Sequence, residues 1–171
     1  RVLEGLAARA PTAALADAVA QHLEGLLERS GDFAALCDRL EARADQLPVE
    51  QAWRLHVRIA DVAETRLGDI ARARRHLELL VAGAPDDPGP WRRLSALYEA
   101  DAWPSEWLRA IEGELGALER LGYDGEETRA RRLALHARAA RVARDALDDA
   151  ERAAGHWRGV LALAPGHPEA S

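Results

Sequence analysis

Apolar residues recur at three- and four-residue intervals along most of this chain, the spacing that gathers them on one face of a helix. The pattern is sharpest between Leu67 and Tyr98. Gly68 can take the left-handed conformation that closes one helix, and the Asp69 side chain can cap the free N–H groups of the next. Ile70, Ala73, Leu77, Leu80, Val81 and Ala84 then share one face. Pro85, Asp86, Asp87 and Pro88 stop that helix, because proline lacks the N–H that a helix interior needs. Another helix opens near Gly89, with Trp91, Leu94, Ser95 and Tyr98 on its buried side. Most of this stretch returns further along: Ala153, Trp157, Val160, Leu161 and Pro165 keep the spacing, and Leu36, Leu40, Ala44 and Pro48 keep most of it.

Three copies in one register resemble the tetratricopeptide repeat (TPR), a helix-turn-helix unit of about 34 residues. Trp91 to Tyr98, reading WRRLSALY, fits its first helix; Ala73, Leu77, Leu80, Val81 and Pro85 fit its second. The departures carry information too. Before Leu67 and Leu147 the first helix is stretched by about one residue, and His56 and His136 stand where the family usually has Trp. Trp107 occupies a position where a small alanine lets helices approach, so the hairpin from Trp91 to about Arg120 is expected to be splayed or shifted. An indole forced into that space costs about 1 to 3 kcal/mol unless the backbone moves.

The remaining chain reads as helix as well. Residues 1–10 form an edge helix ended by Pro11, and Thr12 caps a helix whose apolar stripe is Leu15, Val19, Leu23, Leu26 and Leu27. Phe33, Leu36, Cys37 and Leu40 begin the return helix. Pro48 opens the next at a first helical position, with Trp53, His56, Ile59, Ala60 and Ala63 inward. Trp107, Leu108, Ile111, Leu115 and Leu118 line a later one; Leu133, His136, Ala139, Ala140 and Ala143 line the one after the LGYDGE connection, the longest irregular segment expected. One repeat domain over 1–171 results, with hairpins at about 12–47, 48–85, 88–121 and 125–165 and the start of a further unit at 166–171. The fold class is all-α. The resemblance implies about nine helices in a right-handed α-α superhelix, a TPR-like solenoid of antiparallel helix hairpins with one concave face.

Composition supports helix: Ala and Leu abound, the chain has one Phe, and no alternating run is long enough for a sheet. No span reaches the length of a membrane helix. All 23 basic residues are Arg, there is no Asn, and this usage points to a GC-rich bacterial source. Without Lys there is no P-loop lysine, Schiff base or serine–lysine pair. The net charge of −6 argues against a nucleic-acid footprint. The chain starts at Arg1 within a helical pattern and has no Met, so it is expected to be a piece of a longer array or a self-associating unit with open repeat ends. A cytoplasmic location is the expectation.

Candidate chemistry is sparse. The His56/His136 and His76/His156 pairs repeat with the fold, which assigns them to packing or surface, and no His-Glu-x-x-His or Cys/His spacing marks a metal site. Cys37, the single cysteine, falls on an apolar stripe as a small core residue. Acidic pairs such as Glu126 and Glu127 lie at helix starts, where the dipole favours them. Catalytic, cofactor and metal residues are therefore none. By resemblance, the first helix of each hairpin lines the concave face, which would present Arg54, Asp61, Glu64, Arg92, Glu99, Arg141 and Arg144, a lining suited to an acidic peptide or exposed carboxylate. The family's clamp for chaperone tails uses Lys and Asn, and neither is present. Trp103 and Trp107 are candidate aromatic anchors. Against a groove role, Glu127 with Arg131, Arg141 with Asp145, and Arg144 with Asp148 are spaced to pair along one helix. The reading is a non-enzymatic scaffold or adaptor for a protein or peptide, without nucleic acid or membrane insertion. The alternative is a regulatory arm of a larger enzyme, such as a kinase or protease, whose catalytic domain lies outside these residues.

Overall fold

The computed structural model describes residues 2–122 and 125–169, the side chains of residues 2–14, 49 and 50 excepted. Among the described residues every regular element is helical. Eight α-helices follow one another: α1 (Val2–Ser30), α2 (Phe33–Ala44), α3 (Val49–Val62), α4 (Ile70–Gly83), α5 (Pro88–Ala100), α6 (Pro104–Leu121), α7 (Glu126–Asp145) and α8 (Ala150–Leu163). A π-helical turn, Ala63–Leu67, continues α3. By its packing the chain falls into two compact units, Arg1–Ala73 and Arg74–Ser171, with the boundary inside α4. No described helix is long and apolar enough to cross a membrane.

One kind of backbone turn joins four pairs of consecutive helices, α1–α2, α3–α4, α5–α6 and α7–α8. A left-handed residue comes first: Gly31 (φ +77°), Gly68 (φ +64°), Ala102 (φ +55°) or Asp148 (φ +52°). The next residue donates its N–H back into the preceding helix, Asp32 to Leu27 O at 3.0 Å, Asp69 to Ala63 O at 2.9 Å, Trp103 to Tyr98 O at 3.0 Å and Asp149 to Ala143 O at 2.8 Å. These bonds satisfy carbonyls that a helix end would leave open. Asp32, Asp69 and Asp149 then cap the following helix, each accepting from the N–H three residues on at 2.9–3.1 Å. At Asp69 and Asp149 the back-donation reaches one residue further than at Asp32 and Trp103. That is where the extra residue before Leu67 and Leu147 goes, and at the first site it forms the π turn, the standard way for a helix to absorb one added residue. Between hairpins, the carbonyls of Ala44, Ala84 and Ala164 accept from Leu47, Asp87 and His167 at 3.1–3.2 Å, just before Pro48, Pro88 and Pro168. Residues 123 and 124 of the LGYDGE connection lie outside the described residues.

The helix stripes mostly meet expectation. In the first unit Leu36, Cys37 and Leu40 of α2 pack on Ile59 and Val62 of α3, with Leu27, Phe33, Leu55 and Leu67 at the edges. In the second, Leu108, Ile111, Leu115 and Leu118 of α6 pack on Leu135, Ala139, Val142 and Ala143 of α7 and Ala153 of α8. Leu77, Leu80, Leu94 and Tyr98 are buried as well.

Two expectations are corrected in α1. The edge helix 1–10 does not end at Pro11; a single helix runs Val2–Ser30. An interior proline costs about 3 kcal/mol, and here it is flanked by Ala7, Ala8, Ala10, Ala13 and Ala14, the best helix formers. The stripe of Leu15, Val19, Leu23 and Leu26 is not core either, since these residues are 38–66 % exposed. The inward side of α1 carries Glu24 and Leu27. Glu24 is gripped by Arg43 of α2 and Arg58 of α3, both at 3.0 Å, and those bonds set the rotation of the helix.

The Trp107 indole, expected at the α5–α6 contact, packs at the edge of the α6–α7 core with the Arg138 guanidinium 4.9 Å from its ring centre. The close approach to α5 is made by Gly113, where an added Cβ would stand 2.4 Å from the Trp91 indole. Gly113→Ala is therefore expected to lower stability by about 1–3 kcal/mol in urea unfolding, through overpacking. Gly155→Ala, in the interior of α8 with nothing within 4 Å, is expected to raise it by about 0.5–1 kcal/mol.

Candidate functional site

The residues proposed from the sequence are engaged one by one with different partners. Arg54, in the first unit, is exposed on α3. In the second, Arg92 Nε donates to Glu114 Oε1 at 3.0 Å, Arg141 Nε to Glu169 Oε2 at 3.0 Å and Arg144 Nε to Asp145 Oδ1 at 2.6 Å. The pairs expected four residues apart give way to these longer- or shorter-range ones, and Arg131 binds Glu114 rather than Glu127. Trp103 is exposed but occupied: it stacks on Tyr98 at 6.1 Å and carries the Arg74 guanidinium 4.1 Å above its ring. Arg74 in turn is held by Asp101 at 2.8 Å. Trp107 lies under Arg138, as described, and its Nε1 is buried without a hydrogen-bond partner.

Sequence reasoning missed the most constrained charge. Glu114 of α6 is fully buried, and it accepts from Arg92 on α5 and, through both oxygens at 2.8 Å, from Arg131 on α7. The hydrogen bonds that Arg131 donates to Glu114, outweighing desolvation, hold the Arg131 guanidinium further above its usual range. Glu24 repeats the scheme in the first unit with Arg43 and Arg58. No local signal marks either carboxylate, because the partners lie 17–34 residues away.

The structure supplies a cleft of its own in the second unit. Its volume is about 450 Å³, and it is lined by Glu78, Val81 and Ala82 of α4, Trp91, Leu94 and Tyr98 of α5, and Arg109 of α6. Val81, Leu94 and Tyr98 are buried core residues that also form its floor, while Glu78, Ala82 and Arg109 stand exposed at its mouth. The Trp91 Nε1 donates to Pro85 O at 3.0 Å, fixing the indole. The Tyr98 hydroxyl donates to Glu78. Burial first, and then the hydrogen bond and charge of Glu78, push the phenol up to about 12 against an opposing pull from Arg109, so it remains a donor across the physiological range. The cleft thus pairs an aromatic and aliphatic floor with one acidic and one basic side chain. Its floor residues were legible as the inner sides of α4 and α5; Glu78 and Arg109 were not.

Cys37 is buried, and burial pushes its thiol up despite the opposing charge of Arg72, which suits a packing residue rather than a nucleophile. Among the described residues no group of three or more His, Cys, Asp and Glu is placed to hold a metal ion. No protein-family model matches the chain, and none of the curated proteins compared with it does.

Replacing Glu114 tests the buried charge. Glu114→Ala leaves Arg92 and Arg131 without their carboxylate, but both are partly exposed and can be hydrated. The expected loss in urea unfolding is therefore about 2–3 kcal/mol, below the 3–5 of a wholly buried pair. Glu119→Ala, which removes an exposed partner of Arg132, is expected to change stability by no more than about 1 kcal/mol.

Proposed function

We propose that this chain is a TPR-like helical-repeat module that holds a protein or peptide partner, and that its hairpins form a right-handed superhelical array. What supports the architecture is the turn geometry: one left-handed residue and one back-donated N–H recur at all four turns, three of them with an aspartate cap and two with the same extra residue. What supports the binding role is the cleft between α4, α5 and α6, and this observation carries the reading. Its floor of Val81, Leu94 and the Trp91 indole suits one bulky apolar side chain of an extended or helical peptide. Glu78 and Arg109 at its mouth suit the peptide's polar groups. Apolar anchors seated in such a depression supply most of the affinity in peptide recognition.

The arginines named from the sequence take a lesser place in this proposal. Arg92, Arg141 and Arg144 would have to release Glu114, Glu169 and Asp145 before meeting an acidic ligand. Arg109 carries the basic contribution at the cleft instead.

The test is selection of peptides from a displayed random library on the purified chain, followed by titration of the selected peptides. They are expected to share a bulky apolar residue. Ala82→Arg, which fills the mouth of the cleft from an exposed helical position, is expected to weaken them at least tenfold, about 1.4 kcal/mol, with unchanged circular dichroism and melting. Peptides that bind the variant as well as the wild type would remove the cleft from the proposal.

A further inference from the structure

His136 on α7 and His156 on α8 face each other with their Nδ1 atoms 3.2 Å apart and ring centroids 5.5 Å apart. At that separation one Nδ1 carries a proton and the other offers its lone pair. On its other edge His156 Nε2 lies 3.1 Å from Glu112 Oε1 of α6, and Arg152, one turn earlier on α8, donates its Nε to the same oxygen at 2.7 Å. Burial alone would raise the Glu112 pKa, but the hydrogen bonds from His156 and Arg152 outweigh it and hold the carboxyl at about 2. Glu112 is thus an anion under all mildly acidic conditions. Two further charges face His136: Glu119 of α6, which favours its protonation, and Arg132 of α7, which opposes it. These two also bind each other at 3.3 Å.

Neither ring can turn aside freely. An added Cβ at Gly159 would lie 2.6 Å from the His136 ring, so that ring rests against the backbone of α8. The His156 side chain is only 12 % exposed.

We propose that the His136–His156 pair is an acid-sensitive catch on the α7–α8 hairpin, closed while at most one ring is charged and loosening when both are. Glu112 offsets the first charge. The second places two imidazolium rings within hydrogen-bonding distance of each other, and Glu119 answers it only in part, because Arg132 shares that carboxylate. The contact at Gly159 ties the ring position to the helix spacing, so relief comes from parting α7 and α8.

The direction of the pH effect follows from linkage. Burial, and then the charge of His156, push His136 below its ordinary 6.5. The unfolded or opened chain therefore binds more protons there. The stabilisation is present above about pH 6.5 and is lost as the pH falls through and below that value. The contribution of Glu112, also depressed in the folded state, is lost only between about 4.5 and 2.

The experiment follows the histidine ring nitrogens of the whole chain by NMR from pH 8 to 5, together with urea unfolding at pH 7.5 and 5.5. The His136 ring is expected to stay neutral below pH 6.5. The wild-type unfolding constant should rise on acidification by at least about threefold more than that of His136→Gln. His22→Gln, at an exposed position on α1, should behave as wild type. Should His136→Gln fail to fold, His156→Gln serves as the second variant, and the wild-type NMR titration needs none. A His136 ring that titrates at or above 6.5, or equal acid sensitivity in wild type and variant, overturns the proposal.

Discussion

Glu114 has no exposed surface, and three guanidinium N–H groups from two flanking helices point at its two oxygens. A carboxylate taken out of water costs several kcal/mol unless it is paired and hydrogen-bonded. Once it sits in the middle of α6, the neighbours α5 and α7 must stand where Arg92 and Arg131 can reach it. This requirement fixes rotation as well as distance, which a stripe of interchangeable leucines and alanines does poorly. The first unit meets the same condition with Glu24, Arg43 and Arg58. Apolar burial supplies the drive to pack, and the two clamped carboxylates decide which faces meet.

That division explains what could and could not be read from the sequence. Helix identity and most boundaries were legible, because they depend on local features: Gly68 before Asp69, the break from Pro85 to Pro88, and stripes such as Leu36, Cys37 and Leu40. The one-residue stretch before Leu67 was legible too, as an excess in spacing. The orientation of α1 was not. Its leucines read as a core stripe, but the buried face is chosen by Glu24 through arginines 19 and 34 residues away. The candidate arginines misled for a related reason. Spacing along one helix identifies Arg141 and Asp145 as neighbours, whereas the structure gives Arg141 to Glu169, at a sequence separation of 28.

The close approaches in the second unit follow a common rule. Where a large ring must lie against a helix, the facing residue has no side chain: Gly113 under Trp91 and Gly159 under His136. One contact fixes a wall of the cleft and the other fixes the histidine pair. In each case a ring is held against a helix backbone. Tyr98 ties the cleft into the hairpin, since its ring stacks on Trp103 while its hydroxyl is held by Glu78.

The π turn at Ala63–Leu67 acts as a slip joint. An added residue in an ordinary helix rotates everything beyond it by roughly 100°. Here the surplus is taken up as a local widening before Gly68, so the turn still closes, with the Asp69 N–H donating to Ala63 O at 2.9 Å. Such a joint lets the end of α3 change by one residue while Ile59 and Val62 keep their places against Leu36 and Leu40 of α2.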